Sequence, residues 1–452
     1  MKVFILGLLL SGLATAQIND LKHRPNTFNT SEGPAVFVDF QTADYEVNYD
    51  ITNKTSSVTA TIKFYMPEAG QPIFDSYEAP KSVTLNGESV SATETKTPHS
   101  ETTVRVIRKN LKVGNYSAVI TVPLTSLVEY KDGGVKSAFW TSDLTERKFL
   151  ERYMPANLEY DQVKMTFKIN FIGGKANQRI YTNGVVTSKN KKTFEVVYPE
   201  YFNASSIFFH TVPEGTTSET SYTLKSVDGR EIPVVIYIAK SLFGGSTSLD
   251  RLKSLTNEIF HELEGDYGAW PHPSIVIYNA GSGGMEYAGA TMTSVSALGH
   301  ELFHSYFARG VMPANGNAGW LDEALASWRD EGYKTSSSLS GSSRMSAHPY
   351  YTRTTDRAAY TFGERFMSYM DGKLKAKGGL KPFMRYMVDK KIFAPIFVED
   401  FIQEMSNFYG ESVEADFKKY TFGTKDNFDL NINKHNHKIH RKMELSELQN
   451  YL

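Results

Sequence analysis

Two histidines four residues apart, His300 and His304, enclose a glutamate, Glu301. On a helix such residues lie on one face, so both imidazoles can reach one metal ion. Neutral imidazole suits Zn2+ at roughly 2.0–2.1 Å, and a catalytic zinc takes three protein ligands and keeps one position open. The third ligand is available in Glu323, on the next predicted helix, after the intervening residues 305–322. The run from Pro313 to Gly319, rich in Gly and Asn, lets the chain turn back between the two helices. Glu301 then stands where a carboxylate can take a proton from water in the open position. The competing account is an amphipathic helix with two ordinary histidines. In a chain with 11 histidines the pentapeptide alone does not exclude it, and the third ligand weakens it.

The elements that must position these residues can be read from periodicity. Helical spacing predicts helices over about 294–308, 320–333, 357–377, 380–389, 398–408 and 412–420. Upstream, Leu249, Leu252, Leu255, Ile259 and Leu263 share a helical face, with Thr247 or Ser248 as N-cap. Ser274–Tyr278 reads as a strand. Tyr222–Val227 and Ile232–Ala239 read as a strand pair turning at Asp228-Gly229. Before residue 212 short alternating runs recur: Tyr45–Ile51, Ser57–Tyr65, Ser82–Leu85, Thr103–Ile107, Ser117–Pro123, Lys164–Phe171 and Thr193–Tyr198. Turn pairs such as Asn86-Gly87 and Asn183-Gly184 separate them, which predicts an antiparallel β domain. The polar run Pro213–Ser221 is the expected boundary.

Composition limits the function classes. A length of 452 residues allows two or three domains, and 40% hydrophobic content is that of a globular chain. The formal net charge of -1 gives no reason to propose nucleic acid or an anionic membrane as partner. There is no cysteine, which excludes thiol nucleophiles and Cys-ligated zinc. Lys2, the apolar run Val3–Leu10 and Ala14-Thr15-Ala16 read as a secretory signal peptide over residues 1–16, leaving Gln17 first. Periplasmic and extracellular destinations both stay open. Sequons begin at Asn29, Asn53, Asn115 and Asn203.

In order along the chain, several features resemble the aminopeptidase N family of gluzincin metallopeptidases, which includes the leukotriene epoxide hydrolase. Gly283-Gly284-Met285-Glu286-Tyr287 is similar to its G-x-M-E-N motif. His300–His304 and Glu323 match its zinc motif, and Trp320-Leu321-Asp322-Glu323 resembles its W-L-N-E segment. Tyr360-Thr361-Phe362-Gly363 resembles its Y-x-x-G stretch. The match is strong over about 270–410 and weaker over 35–240, where Arg152-Tyr153-Met154-Pro155 and Asp161 carry it.

The resemblance implies roles. Glu286 would pair with a substrate α-ammonium, while the backbone of Gly284 and Met285 would hold the peptide as an added strand. Tyr360 would donate its hydroxyl to the oxyanion, although a core aromatic is the rival account of that residue. A second amine-binding acid is implied from the β domain, with Glu146 and Glu151 as candidates. Tyr287 and Asp322 depart from the usual Asn at their positions, and Asp322 could be an acceptor behind a ligand histidine. The family's large C-terminal helical domain has no counterpart in the sequence, so a more open cleft is expected.

The resulting expectation is an α+β multidomain chain. An antiparallel β domain (17–212) precedes a thermolysin-like catalytic domain (213–420), a small mixed sheet plus helical lobe, and a polar tail (421–452). One Zn2+ per chain is expected, with a peptide as substrate, no nucleic-acid partner and no integral membrane segment after signal removal. Two alternatives stay open: an endopeptidase or other hydrolase on the same site, and a secreted binding protein whose zinc is not catalytic. His435, His437 and His440 read as a solvated tail, Asp389-Lys390-Lys391 as a helix end, and Ser336–Ser343 as a loop near the cleft.

Overall fold

Long alternating strands build the first half of the chain. In Asp39–Asp50 and Thr55–Met66, inward residues such as Tyr45, Val47, Tyr49, Val58, Ala60 and Ile62 are buried while their neighbours face outward. That is the period of a half-buried strand. The structure is a computed structural model. It describes residues 24–423 apart from 100–101, 142–148, 243–248, 315 and 352–354. The signal peptide, the tail histidines, Glu146 and the expected N-cap at Thr247 or Ser248 lie outside the described residues.

Among the described residues the first half holds an eight-stranded, a five-stranded and a four-stranded sheet. The large sheet runs in the order 185–190, 193–197, 164–172, 39–50, 55–66, 114–123, 82–85, 88–89. Pairing is antiparallel with two exceptions, the parallel pairs of Lys164–Ile172 with Asp39–Asp50 and of Gly33–Phe37 with Gln71–Phe74. Parallel neighbours need a long connection, which period-two alternation does not reveal. Asn29, Asn53 and Asn115 are exposed. Asn203 is buried, with its Oδ1 accepting from Ser205 and Ser206, so that sequon is closed to a glycan in the folded protein.

The run 213–221 is less of a linker than its polarity suggests. It holds a turn at 214–216 and then the start of the strand Thr217–Lys225. That strand forms the edge of a second five-stranded sheet, hereafter the second sheet, which explains its Ser and Thr content. The sheet continues through Glu231–Ala239, Ile275–Asn279, Ala290–Thr293 and, at the other edge, Gly284–Tyr287. Its faces serve different cores. Ile232, Val234, Ile236, Ile275 and Ile277 pack against the helices, while Tyr237, Val276, Tyr278, Met285, Tyr287 and Met292 join the core of the β half. Burial on both sides accounts for the unbroken apolar run at 275–278.

Helix α1 (Leu249–Tyr267) lies on the helical side. Its buried residues are Leu252, Thr256, Phe260, Leu263, Glu264 and Tyr267, so the buried face keeps Leu252 and Leu263 of the expected set and leaves Leu249, Leu255 and Ile259 only partly buried. Then come α2 (Leu298–Phe303), α3 (Leu321–Asp330), α4 (Phe362–Lys373), α5 (Leu380–Lys391), α6 (Val398–Tyr409) and α7 (Glu414–Phe417). Two predicted helices depart most from the expected spans. The 294–308 segment is helical only at α2, because the chain reverses after His304: Ala308 adopts a φ of 144° and Val311 donates back to Tyr306 O. The 357–377 segment breaks into a 3-10 turn at Arg357–Tyr360, α4, and a second 3-10 turn at Lys375–Lys377. No helix among the described residues is long and apolar enough to cross a membrane.

Candidate metal and peptide-binding site

Helix α2 delivers His300 and Glu301. His304 caps the helix with helical dihedrals, so the spacing of four residues holds and the two rings sit 4.8 Å apart at 80°. Glu323 comes from the first turn of α3. Its Oε2 lies 2.9 Å from His300 Nε2 and 3.5 Å from His304 Nε2. Bonds of about 2.0–2.1 Å to a tetrahedral ion would separate neighbouring donors by roughly 3.3 Å. The two observed spacings bracket that value. All three residues are buried, and His304 Nε2 is enclosed with no hydrogen-bond partner among the described residues. The donor set therefore fits one zinc ion.

The charges point the same way. Burial opposes a proton on His300, but Asp330 and Glu323 outweigh it and hold its pKa well above the usual value. For His304, burial again opposes, and Glu323 and Glu286 push the value up to about 9. Burial raises the Glu301 carboxyl to about 8; the two histidines pull it down, and Glu286 and Glu323 add to the rise. Several acids crowd two imidazoles in a dry site. Such an arrangement takes up positive charge, as protons or as a metal cation.

Both histidines are oriented from behind. His304 Nδ1 lies 3.0 Å from Phe307 O. His300 Nδ1 lies 2.7 Å from Asp330 Oδ2, which fixes the ring with Nε2 toward the cluster. Asp330 was not among the residues the sequence singled out. The available signal was its spacing, seven residues after Glu323 and hence on the same face of α3. Asp322, the residue considered for this place, accepts the backbone N–H of Glu323 at 2.9 Å.

The strand Gly284–Tyr287 packs over α2. A Cβ added at Gly284 would lie 2.0 Å from Glu301 Oε1, so a side chain there would displace either the strand or the Glu301 carboxylate. Glu286 is fully buried, with a carboxylate oxygen within 4.8 Å of the donor atoms of Glu301 and His304. Met285 points into the β-half core, and Tyr287 accepts from Thr141 N across to that half. Tyr360 sits in the 3-10 turn that Asp356 caps, its ring stacked 6.4 Å from that of His300. Gly363 brings α4 against α3, since a Cβ there would meet Ala324 Cβ at 2.7 Å.

Glu301, the three candidate ligands, Glu286, Gly284 and Tyr360 are thus gathered in one place. Glu151 is buried in the Leu150–Arg152 turn, whose Glu151 carbonyl accepts from Tyr77. The loop 336–343 is tied at its ends, Ser336 N to Ser368 O and Ser343 N to Tyr420 O. Lys390 and Lys391 close α5 and pair with Glu404 of α6.

Sequence reasoning also missed Arg309. This buried guanidinium lies in the turn after His304, and its Nη2 donates to Glu286 Oε1 at 2.8 Å. Its Nη1 donates to Ser205 Oγ at 2.5 Å and lies 3.6 Å from Glu159 Oε1.

No family model matches the chain, and no curated protein does. Solved structures do. One is an M1 zinc metallopeptidase mutant from Deinococcus radiodurans, bound to a Tyr-Ser-Ala substrate. It is 15% identical, covers 83% of this chain and 92% of its own, and has a TM-score of 0.62. Legionella pneumophila aminopeptidase A, in complex with aspartic acid, is 14% identical over 88% of this chain and 50% of its own, with a TM-score of 0.65. Native yeast LTA4 hydrolase is 13% identical over 89% and 71%, with a TM-score of 0.59. The fold is thus shared with the group of proteins that the sequence motifs resemble.

Proposed function

We propose that the protein is an exported zinc metallopeptidase that removes N-terminal residues from peptides. The observation that carries this reading is the buried His300–His304–Glu323 cluster, with donor spacings of 2.9 and 3.5 Å and Glu301 beside it. Zinc bound there supplies a Lewis acid and lowers the pKa of water in its open position. Glu301 accepts a proton from the attacking water and later delivers it to the departing amine nitrogen. Tyr360 donates its hydroxyl to the carbonyl oxygen as that oxygen gains charge. Glu286 accepts the substrate's α-ammonium, and the backbone of Gly284 and Met285 aligns the peptide along the sheet edge. Structural neighbours bound to Tyr-Ser-Ala and to aspartic acid support a peptide-derived substrate.

A second reading, an endopeptidase on the same site, is favoured by one contact. Arg309 already pairs with Glu286, which reduces the charge that carboxylate offers to an ammonium group. Amino-acid amides with free and with N-acetylated amines separate the two. Chelator-sensitive cleavage of free amines alone supports the aminopeptidase, and equal cleavage of both overturns it. Glu301→Gln is expected to lower kcat by about 10²–10⁴ with zinc retained. Turnover that survived this change would remove Glu301 from the mechanism. Export rests on Lys2, Val3–Leu10 and Ala14–Ala16, and N-terminal sequencing of the mature protein should begin at Gln17.

A further inference from the structure

Arg309 is a full positive charge in a place where one is costly. A buried guanidinium is tolerated when its fork meets anions and acceptors in good geometry. Here each arm has its own partner: Glu286 on Nη2, and Ser205 with Glu159 on Nη1. The arrangement joins separate parts of the chain. The Arg309 backbone N–H donates to His304 O at 2.9 Å, tying the guanidinium to the turn that follows the metal-binding helix. Glu286 belongs to the edge strand of the second sheet, and Glu159 and Ser205 come from the β half. Ser205 is itself held, its Oγ donating to Asn203 Oδ1 at 2.9 Å.

The consequence is electrostatic. Glu286 and Arg309 alone form a neutral pair, which exerts little net pull on an ammonium group. Glu159 changes the balance within this described trio, whose two carboxylates and one guanidinium sum to one net negative charge. Its side chain is 15% exposed, against 0% for Glu286 and 4% for Arg309, so the cluster ends near solvent on the Glu159 side.

We infer that Arg309 and Glu159 are positioning and specificity-determining residues for a substrate's free amine: Arg309 clamps Glu286 in place, and Glu159 restores the negative charge that Arg309 cancels. This rests on the reading of Glu286 as the amine acceptor. It goes beyond that reading by making amine selection a property of three residues, two of which do not face the metal ligands directly. It also assigns to the amine site an acid of the β half, Glu159, through its 3.6 Å contact with Arg309.

The test uses the full zinc-loaded chain carrying Glu301→Gln, so that binding is read without turnover. Calorimetric titration with leucinamide and with N-acetyl-leucinamide compares this protein with versions that add Glu159→Gln, Arg309→Lys or Glu286→Gln. Glu159→Gln and Arg309→Lys should each weaken leucinamide binding by about tenfold and leave the acetylated compound unaffected. Glu286→Gln should weaken leucinamide at least as much. If Glu286→Gln weakens it and Glu159→Gln does not, the cluster is wrong while Glu286 keeps its role. If Glu286→Gln has no effect, the amine-acceptor reading fails first. Zinc content and melting temperature are measured for each variant. Should Arg309→Lys not fold, Glu159→Gln, a neutral change at a partly exposed side chain, decides the matter.

Discussion

At the residue scale, the contact between His300 and Asp330 gives a direct prediction. The carboxylate holds the imidazole with Nε2 turned to the cluster and stabilises positive charge on the ring. Arg329 Nη1, 3.2 Å from Asp330 Oδ1, holds the carboxylate in turn. Partners of this kind typically contribute 10–100-fold in metal affinity. Asp330→Ala should therefore weaken zinc binding by about that factor in competition with a chelator. Unchanged zinc affinity would show that the ring is held by its packing alone. Asp330 also shows where sequence reasoning stops. The ligands were legible because imidazole and carboxylate at helix spacing have few other uses. Asp330 is one acid among many, and its role depends on which way His300 turns. Arg309 was illegible for the same reason, since a lone arginine after a histidine helix gives no sign that it will be buried against Glu286.

At the element scale, the close approach of the Gly284–Tyr287 strand to α2 sets the position of Glu301, the proposed base. Glu301 Oε1 occupies space that a Cβ on residue 284 would need, with only 2.0 Å between them. Gly284→Ala must push either the strand or the Glu301 side chain aside. His300, His304 and Glu323 lie in other elements, so zinc should remain bound while kcat falls by about 10² or more, the scale of losing a well-placed general base. Parallel measurements of zinc content and kcat check this. Full activity in Gly284→Ala would mean that Glu301 is not held where the strand meets α2. The strands and helices themselves were largely legible, because alternation and helical spacing follow from one-sided burial. Ser82–Leu85 and Thr103–Ile107 form where periodicity places them. Boundaries set by tertiary contacts were not legible. The reversal after His304 depends on hydrogen bonds from Ala308, Arg309 and Val311, which leave no pattern in the apolar spacing. The strand beginning at Thr217 looked like linker because an edge strand is allowed to be polar.

At the scale of the whole molecule, the second sheet is the layer through which the β half supports the metal site. Its face toward that half is aromatic. Trp140 and His210 from the β half pack on Tyr278 of the sheet, with ring centroids 5.4 and 5.1 Å from it, and Tyr181 stacks on Tyr237 at 3.6 Å. His210 Nδ1 meets Tyr237 OH at 2.9 Å inside this layer. Burial pushes its imidazole down to about 3, with Lys136 adding to the effect, against about 6.5 in an unfolded chain. Between those values the unfolded chain binds a proton at His210 and the folded chain does not. The stability this neutral histidine allows is complete above about pH 6.5 and declines as pH falls toward about 3, by up to ~1.4 kcal/mol per pH unit. His210→Phe keeps an aromatic ring in the layer and removes the titration. Urea unfolding of both proteins at about pH 7 and about pH 5 reads the difference. The parent should lose more stability than the variant across that interval, even though the variant starts lower for want of the Tyr237 hydrogen bond. Equal losses would mean that protonated His210 is accommodated in the folded state, and that the layer joining the two halves is wetter than its packing indicates.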